Sequence, residues 1–109
     1  MNRKYSLKDN REIEKIVKAK KSVGNRFYAI YFQKAADFKV AISPSRKIKT
    51  AVQRNYEKRV MREILRPIIP RIGGAHMLVV IKPTAVDLSF ARKKEQILYL
   101  INKVKKEIS

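Results

Sequence analysis

The sequence predicts an α+β fold, an α/β sandwich in which helices pack on one mixed sheet. Segments of helical periodicity alternate with short strand-like segments in the order helix, strand, strand, helix, strand, helix, with room for one further strand before the central helix. Residues 77–81 form a continuous apolar run, which is typical of a central strand covered on both faces. The 109 residues contain no internal repeat and can build one modest core, so we expect a single domain over residues 1–109.

The first element is predicted to be a helix that begins after Asp9 and runs to about residue 20. Asp9 and Glu12 have the spacing of a capping box, in which acidic side chains accept hydrogen bonds from the first free backbone N–H groups. Gly24 predicts the turn that follows. The remaining predicted elements are strands over residues 27–32, 39–43 and 77–81, a central helix over residues 50–66, and a final helix capped by Ser89.

Periodicity and helix breakers set these bounds. The side chains of residues 27–32 alternate between the two faces of a strand. A polar connection follows, and Pro44 ends the next strand, at residues 39–43. Pro67 ends the central helix, because the residue before a proline disfavours the helical conformation. Residues 67–74 contain two prolines and two glycines and are predicted to form a loop.

The composition excludes several classes of protein. Twenty-seven Lys and Arg oppose nine Asp and Glu, a net charge of +18 that indicates a polyanionic partner. Hydrophobic residues make up 45% of the chain, enough for a packed core. The absence of cysteine excludes disulfides and thiolate metal sites and favours a cytoplasmic location. No apolar run approaches the roughly 20 residues that span a bilayer, and the charged N-terminus does not resemble an export signal, so no membrane partner is expected.

The charge is densest in residues 46–71, which hold nine basic and two acidic residues and include the central helix. At 3.6 residues per turn, five side chains of that helix share an arc of roughly 100°. They are Asn55, Lys58, Arg59, Arg62 and Arg66. The opposite side, predicted to reach the core, carries Tyr56, Val60, Met61 and Ile64.

This cationic face is predicted to contact nucleic acid. A solvated helix face is the alternative, but such faces normally mix signs, and only Glu57 and Glu63 interrupt the cations here. Arginine offers a planar fork of donors to phosphate oxygens, and lysine a mobile point charge. The loop before the helix, residues 43–49, adds hydroxyls and three cations that can hold phosphates near the helix N-terminus.

Residues 39–63 resemble the signature of the bacterial ribonuclease P protein component. In that family, a strand ending in a Ser-x-Ser-[Lys/Arg]-Lys loop leads into Ala-Val-x-Arg-Asn-Arg-x-Lys-Arg-x-x-Arg. Here the loop reads Ser-Pro-Ser-Arg-Lys, and Arg54-Asn55, Lys58-Arg59 and Arg62 match position by position. Two further segments also resemble the family: Ser22-Val-Gly-Asn-Arg26, which precedes an aromatic strand, and Lys82-Pro83, which follows the last strand. The likeness therefore covers about residues 5 to 106.

The resemblance implies the protein subunit of a ribonucleoprotein endoribonuclease that cuts the 5′ leader from precursor tRNA. The RNA subunit would perform the chemistry with bound Mg²⁺, and the protein would supply no catalytic residue and no metal ligand. The residues implied to bind RNA are Arg46, Lys49, Arg54, Asn55, Lys58, Arg59, Arg62 and Arg66. The cleft implied to bind the single-stranded leader, between the first and central helices, carries Ile13, Val17, Tyr31, Lys47, Arg54 and Lys58. Core packing is the alternative for Tyr31.

Two further expectations concern topology and stability. The family implies that the strands at residues 39–43 and 77–81 pair in parallel through a left-handed crossover, although handedness rules favour the opposite. Sulfate or phosphate is expected to stabilise the fold, because anions that bind only the native state favour it by mass action.

The chain departs from the family pattern at several positions. Tyr56 replaces the second arginine of the Arg-Asn-Arg signature, so that contact is lost or changed in kind. Ile13 and Val17 occupy positions that often carry phenylalanine, and Ile81 occupies a position before Lys-Pro that is commonly basic.

Three alternative functions stay open. A ribosomal protein or general RNA chaperone would share the basic composition but would have no role in leader cleavage. An autonomous metal-dependent nuclease needs clustered carboxylates, whereas the nine acids are scattered, and the lone His76 is expected to be structural or exposed rather than a general base. A membrane-surface peptide would use the apolar stripe and Lys-rich end of the final helix, although that stripe is more simply its packing face.

Overall fold

A computed structural model of the chain describes residues 6, 7 and 9–108. Residue 5, where the family resemblance begins, lies outside the described residues. The elements are α1 (Asn10–Lys18), β1 (Ser22–Gly24), β2 (Tyr28–Lys34), β3 (Phe38–Pro44), α2 (Ala51–Leu65), α3 (Ile69–Ile72), β4 (Ala75–Ile81), a 3-10 helix (Pro83–Asp87) and α4 (Phe90–Ile108). The predicted order of helices and strands is confirmed, and within the described residues no helix is both long and apolar enough to span a bilayer.

The four strands form one mixed sheet in the order β1-β2-β4-β3. β2 pairs antiparallel with both β1 and β4, whereas β3 pairs in parallel with β4. The continuous apolar strand is therefore internal, as predicted, and the parallel β3-α2-β4 unit is confirmed. The handedness of its crossover stays a prediction.

The main core lies on the sheet face against which α2, α3 and α4 pack. It contains Tyr28, Ile30 and Phe32 of β2, which confirms the predicted alternation of that strand. α1 packs on the opposite face, where Ile16 is fully buried and Leu7 and Leu78 are 6% and 9% exposed. Among the described residues, α1 is the only helix that packs on this second face, where Tyr31 and Ala41 stay partly accessible.

Side chains cap three helices close to the predicted positions. Asp9 accepts a hydrogen bond from the Arg11 N–H at 2.9 Å, and Thr50 accepts one from the Gln53 N–H at 3.0 Å. Ser89 accepts one from the Arg92 N–H at 3.3 Å. These bonds satisfy backbone donors that have no partner within the helix.

Four elements differ from the sequence prediction, one of them the 3-10 helix over Pro83–Asp87, where no helix was predicted. α1 ends at Lys18 rather than at about residue 20, and Lys20 adopts a positive φ of 58° that a helix cannot continue through. The further strand is β1, whose three residues are too few for a periodic signal. The predicted loop over residues 67–74 contains α3, because Pro70 lies in the first turn of that helix, where a proline costs no hydrogen bond.

Candidate nucleic-acid interface

The outer face of α2 is polar and cationic over its whole length. The residues predicted to share this face are exposed, apart from one that is half-buried: Asn55, Lys58 (half-buried), Arg59, Arg62 and Arg66. The predicted apolar residues Val60, Met61 and Ile64 are buried. Arg66 Nη2 lies 3.4 Å from Glu63 Oε1 in an exposed ion pair, whose attraction solvent screens strongly. The sequence therefore predicted the two sides of this helix correctly except at Tyr56 and Glu57.

Glu57 does not interrupt the cationic face, contrary to the sequence prediction. Its side chain is 1% exposed and accepts hydrogen bonds at 2.9 Å from Lys93 Nζ on both carboxylate oxygens. Gln53 Nε2 donates a further bond at 2.8 Å. Lys93, from α4, is itself 3% exposed, so the pair is buried between the two helices. The negative charge points inward, and Glu63 is the acid that α2 presents to solvent.

Tyr56 does not reach the core as predicted. It is 49% exposed and lies at the edge of α2, with Lys93 Nζ 5.3 Å from the centre of its ring. The position beneath it is occupied by the Glu57–Lys93 pair instead of an apolar pocket. A half-exposed aromatic ring therefore borders the cationic face.

The loop between β3 and α2 is held in place from inside. Ile48 is 3% exposed and anchors the loop, and Arg54 Nη1 donates to the Ile48 carbonyl oxygen at 2.7 Å. Ser45 Oγ accepts from the Lys47 N–H at 3.1 Å, which tightens the turn. The three loop cations are consequently exposed on an ordered backbone: Arg46, Lys47 and Lys49.

Two grooves follow the edge of β3 beneath α2. One has a volume of about 340 Å³ and is lined by Pro44, Arg46, Ala51, Arg54, Asn55 and Lys58. The other has a volume of about 270 Å³ and is lined by Ser6, Leu7, Val40, Ala41, Ile42, Lys58 and Arg62. Lys58 lines both, so the grooves adjoin and form a cationic track between the sheet edge and the helix.

Tyr31 lies on the sheet face opposite the main core. It is opposite Leu78 on β4, which in turn is opposite Ala41 on β3, so the three side chains share one face. Tyr31 is half-buried and does not belong to the main core cluster. The ring therefore lies outside the main core, and its part in leader binding stays a prediction.

The six residues expected to bind the leader fall into two groups. The group on the α1 side of the sheet is Ile13, Val17 and Tyr31. The group around the edge of β3 is Lys47, Arg54 and Lys58. The strand that carries Tyr31 is two inter-strand spacings, roughly 10 Å, from β3.

His76 has two carboxylate neighbours that the sequence prediction missed. Its Nε2 lies 2.9 Å from Asp37 Oδ1, and its Nδ1 lies 3.6 Å from Glu12 Oε2. This side chain is 17% exposed and links α1, β4 and the turn before β3. The hydrogen bond from His76 lowers the pKa of Asp37 below its ordinary value. The three residues are far apart in sequence, so only the fold brings them together.

Comparison with known proteins identifies the family. The family model described as Ribonuclease P matches residues 1–105. The chain belongs to the ribonuclease P protein family. The ribonuclease P protein component of Acholeplasma laidlawii is 37% identical over 108 residues, 96% of this chain and 93% of that protein. The ribonuclease P protein component of Mycoplasma mobile is 34% identical over 104 residues, which are 95% of this chain and 93% of that protein.

Solved structures of ribonuclease P proteins have the same fold. The protein from Staphylococcus aureus superimposes with a TM-score of 0.85 at 27% identity, covering 96% of this chain and 98% of that one. The protein from Thermotoga maritima superimposes with a TM-score of 0.80 at 25% identity, covering 90% of this chain and 96% of that one. The resemblance inferred from residues 39–63 is thereby confirmed over nearly the whole chain.

The two other segments that resemble the ribonuclease P family, residues 22–26 and 82–83, lie next to each other in the fold. Lys82 Nζ donates to the Asn25 carbonyl oxygen at 2.6 Å, and the Thr84 hydroxyl donates to the Arg26 carbonyl oxygen. Asn25 also caps its own turn by accepting from the Phe27 and Tyr28 N–H groups. These motif residues therefore hold the β1–β2 turn against the end of β4.

The positions at which the chain departs from the family pattern differ in how far they are exposed to solvent. Ile81 is fully buried, so a basic side chain there would have no access to solvent without a change in the backbone. Val17 is 42% exposed and Ile13 half-buried, so α1 presents aliphatic side chains at those positions. Tyr56 is the departure that lies beside the predicted RNA-binding face.

Proposed function

We propose that this chain is the protein subunit of ribonuclease P and that it binds the catalytic RNA through the outer face of α2. The observation that carries the proposal is the excess of cations on that face, where Glu63 is the one exposed acid of α2. Glu57 is withdrawn into the Glu57–Lys93 pair, and Arg59, Arg62 and Arg66 project from one side of a helix that packs firmly on the core. Such a face suits the closely spaced phosphates of a folded RNA.

We further propose that the accessible sheet face binds the single-stranded 5′ leader of precursor tRNA. Tyr31 offers a ring on which a base can stack, and Lys47, Arg54 and Lys58 border the far side, where a phosphate backbone can pass. Stacking combined with backbone contacts tolerates many sequences, as a leader-binding site requires. Crosslinking from a photoreactive residue at position 31 to a leader-bearing substrate tests this assignment. A crosslink only to the mature tRNA region would contradict it.

We assign the hydrolysis itself to the RNA partner and its bound Mg²⁺, and we place the complex in the cytoplasm. Two-metal chemistry requires clustered carboxylates or histidines that fix the ions about 4 Å apart. Among residues 6, 7 and 9–108, no group of three or more such side chains has an arrangement that can hold a metal ion. The protein is therefore proposed to act by binding and positioning.

Reconstitution tests the proposed function directly. Adding the protein to a bacterial ribonuclease P RNA should lower the Mg²⁺ or substrate concentration that cleavage of a leader-bearing precursor requires. Arg62→Ala should weaken this effect, whereas Arg92→Ala, at an exposed arginine of α4, serves as the matched control. An unchanged cleavage rate with the wild-type protein would favour a ribosomal protein or chaperone, and cleavage without any RNA subunit would favour an autonomous nuclease.

Salt dependence provides a second test. If the cationic face makes on the order of six to ten phosphate contacts, affinity for the RNA should fall about 10³–10⁵-fold between 50 and 200 mM salt. Arg62→Ala should reduce the slope of log affinity against log salt by about 0.7–0.9. A flat response would exclude the cationic face as the interface.

A further inference from the structure

Tyr56 is a large aromatic side chain on the surface of α2. It is 49% exposed and lies one helical turn before Arg59, so the ring and the guanidinium are neighbours on the helix surface. Val52, one turn earlier on the same side, is 80% exposed. The cationic face of α2 is therefore bordered by an exposed apolar strip that the core does not use.

The Tyr56 ring is also held from beneath. Lys93 Nζ lies 5.3 Å from the ring centre, within the range of a cation–π contact. That ammonium group cannot move away, because Glu57 accepts two hydrogen bonds from it at 2.9 Å and Lys93 is 3% exposed. A ring resting on a fixed cation loses little side-chain entropy when a ligand covers it, and such preorganisation favours binding.

We propose that Tyr56 is a stacking site for an unpaired base of the partner RNA, next to a phosphate bound by Arg59. This inference rests on the proposed function, since it concerns the same helix face and the same RNA. Every base has a flat apolar surface that an exposed ring can cover, and the neighbouring cation would hold the phosphate of that nucleotide. The family signature carries an arginine at this position, so this chain would exchange one ionic contact for one stacking contact.

Charge and stacking can be separated by measuring affinity at several salt concentrations. Tyr56→Ala should weaken binding to ribonuclease P RNA about 5- to 150-fold, the range of one base–aromatic stack. The salt slope should stay unchanged, because a neutral ring displaces no counterions. Tyr56→Phe should bind within about twofold of wild type, and Tyr56→Arg should raise the salt slope by about 0.7–0.9. Tyr99→Ala removes another exposed tyrosine, on α4 beneath Lys103, and should leave binding unchanged.

Tyr56→Leu distinguishes stacking from simple packing over Lys93. Leucine still covers the ammonium group but offers no ring, so it should bind as weakly as Tyr56→Ala while circular dichroism shows a wild-type fold. Ultraviolet crosslinking should attach one nucleotide of the RNA to Tyr56. The inference is overturned if wild-type protein binds and Tyr56→Ala matches Tyr99→Ala, or if Tyr56→Leu binds like wild type. Failure of the wild-type protein to bind the RNA would instead refute the proposed function, and this inference with it.

Discussion

Replacing Lys93 by methionine should lower the free energy of unfolding by about 3–5 kcal/mol, the cost of breaking a buried ion pair from one side. Lys93 Nζ donates to both oxygens of Glu57 at 2.9 Å, and both side chains are almost fully buried. Methionine fills a similar volume but leaves the carboxylate, among the described residues, with Gln53 Nε2 at 2.8 Å as its one remaining side-chain donor. The penalty is the cost of a buried and nearly uncompensated charge.

Urea denaturation followed by circular dichroism measures this loss. Domains of this size have a total stability of about 5–15 kcal/mol, so the variant should unfold at much lower urea concentration and melt more than about 10 °C below wild type. Lys94→Met is the matched control, because it removes a neighbouring exposed lysine and the same unit of charge. In a chain of net charge +18, the control also accounts for any relief of self-repulsion.

A double variant separates the buried charge from simple packing. Glu57→Leu combined with Lys93→Met leaves no charge in the interface and should recover most of the lost stability, because apolar residues of similar volume often replace a buried pair without cost. The reasoning would be refuted if Lys93→Met cost less than about 1 kcal/mol relative to Lys94→Met. A double variant less stable than Lys93→Met alone would also contradict it.

Three further predictions concern the core, the His76 contacts and anions. Tyr28 is 1% exposed, its hydroxyl has no hydrogen-bond partner among the described residues, and burial, followed by the Glu57 charge, raises its pKa. Tyr28→Phe should therefore raise the free energy of unfolding by about 1 kcal/mol in urea denaturation, and a loss of stability would contradict this. The pKa of Asp37 is lowered from 3.8, chiefly by the hydrogen bond to His76. The ionised carboxylate should therefore contribute its full stabilisation above pH 3.8, and this contribution should be lost as the pH falls through the lower pKa of the folded state. Titration of the Asp37 carboxyl by NMR in wild type and in the His76→Ala variant checks the sign, and equal pKa values would exclude the His76 contact as the cause. Millimolar sulfate should raise the melting temperature more than chloride of equal ionic strength, and equal shifts would show screening rather than anion binding.

Much of the fold was predictable because it depends on local patterns. The bounds of α2 follow from Thr50 and Pro67, which cap and end a helix by interactions within a few residues. The central position of β4 follows from its uninterrupted apolar run. α3 was missed, and the further strand, β1, could not be placed in the sequence, because three or four residues carry too few side chains to establish a period.

The buried ion pair had a signal in the sequence that the prediction did not use. Glu57 lies three, four and seven residues before Val60, Met61 and Ile64, so it belongs to the apolar stripe of α2. Lys93 precedes Ile97 and Leu100 in the same manner on α4. Opposite charges inside two apolar stripes indicate a pair, but only the packing of the two helices makes the partners known.

The charge, most of the two sides of the central helix and the ribonuclease P signature could be established from residue identity and from spacing along one element. Packing between elements was needed to show that Glu57 points inward, that Tyr56 stays exposed and that His76 meets Asp37 and Glu12. Those outcomes depend on contacts between residues 36 to 64 positions apart, or on what lies beneath a side chain. Local periodicity carries no information about such contacts, because they form only when separate elements pack together.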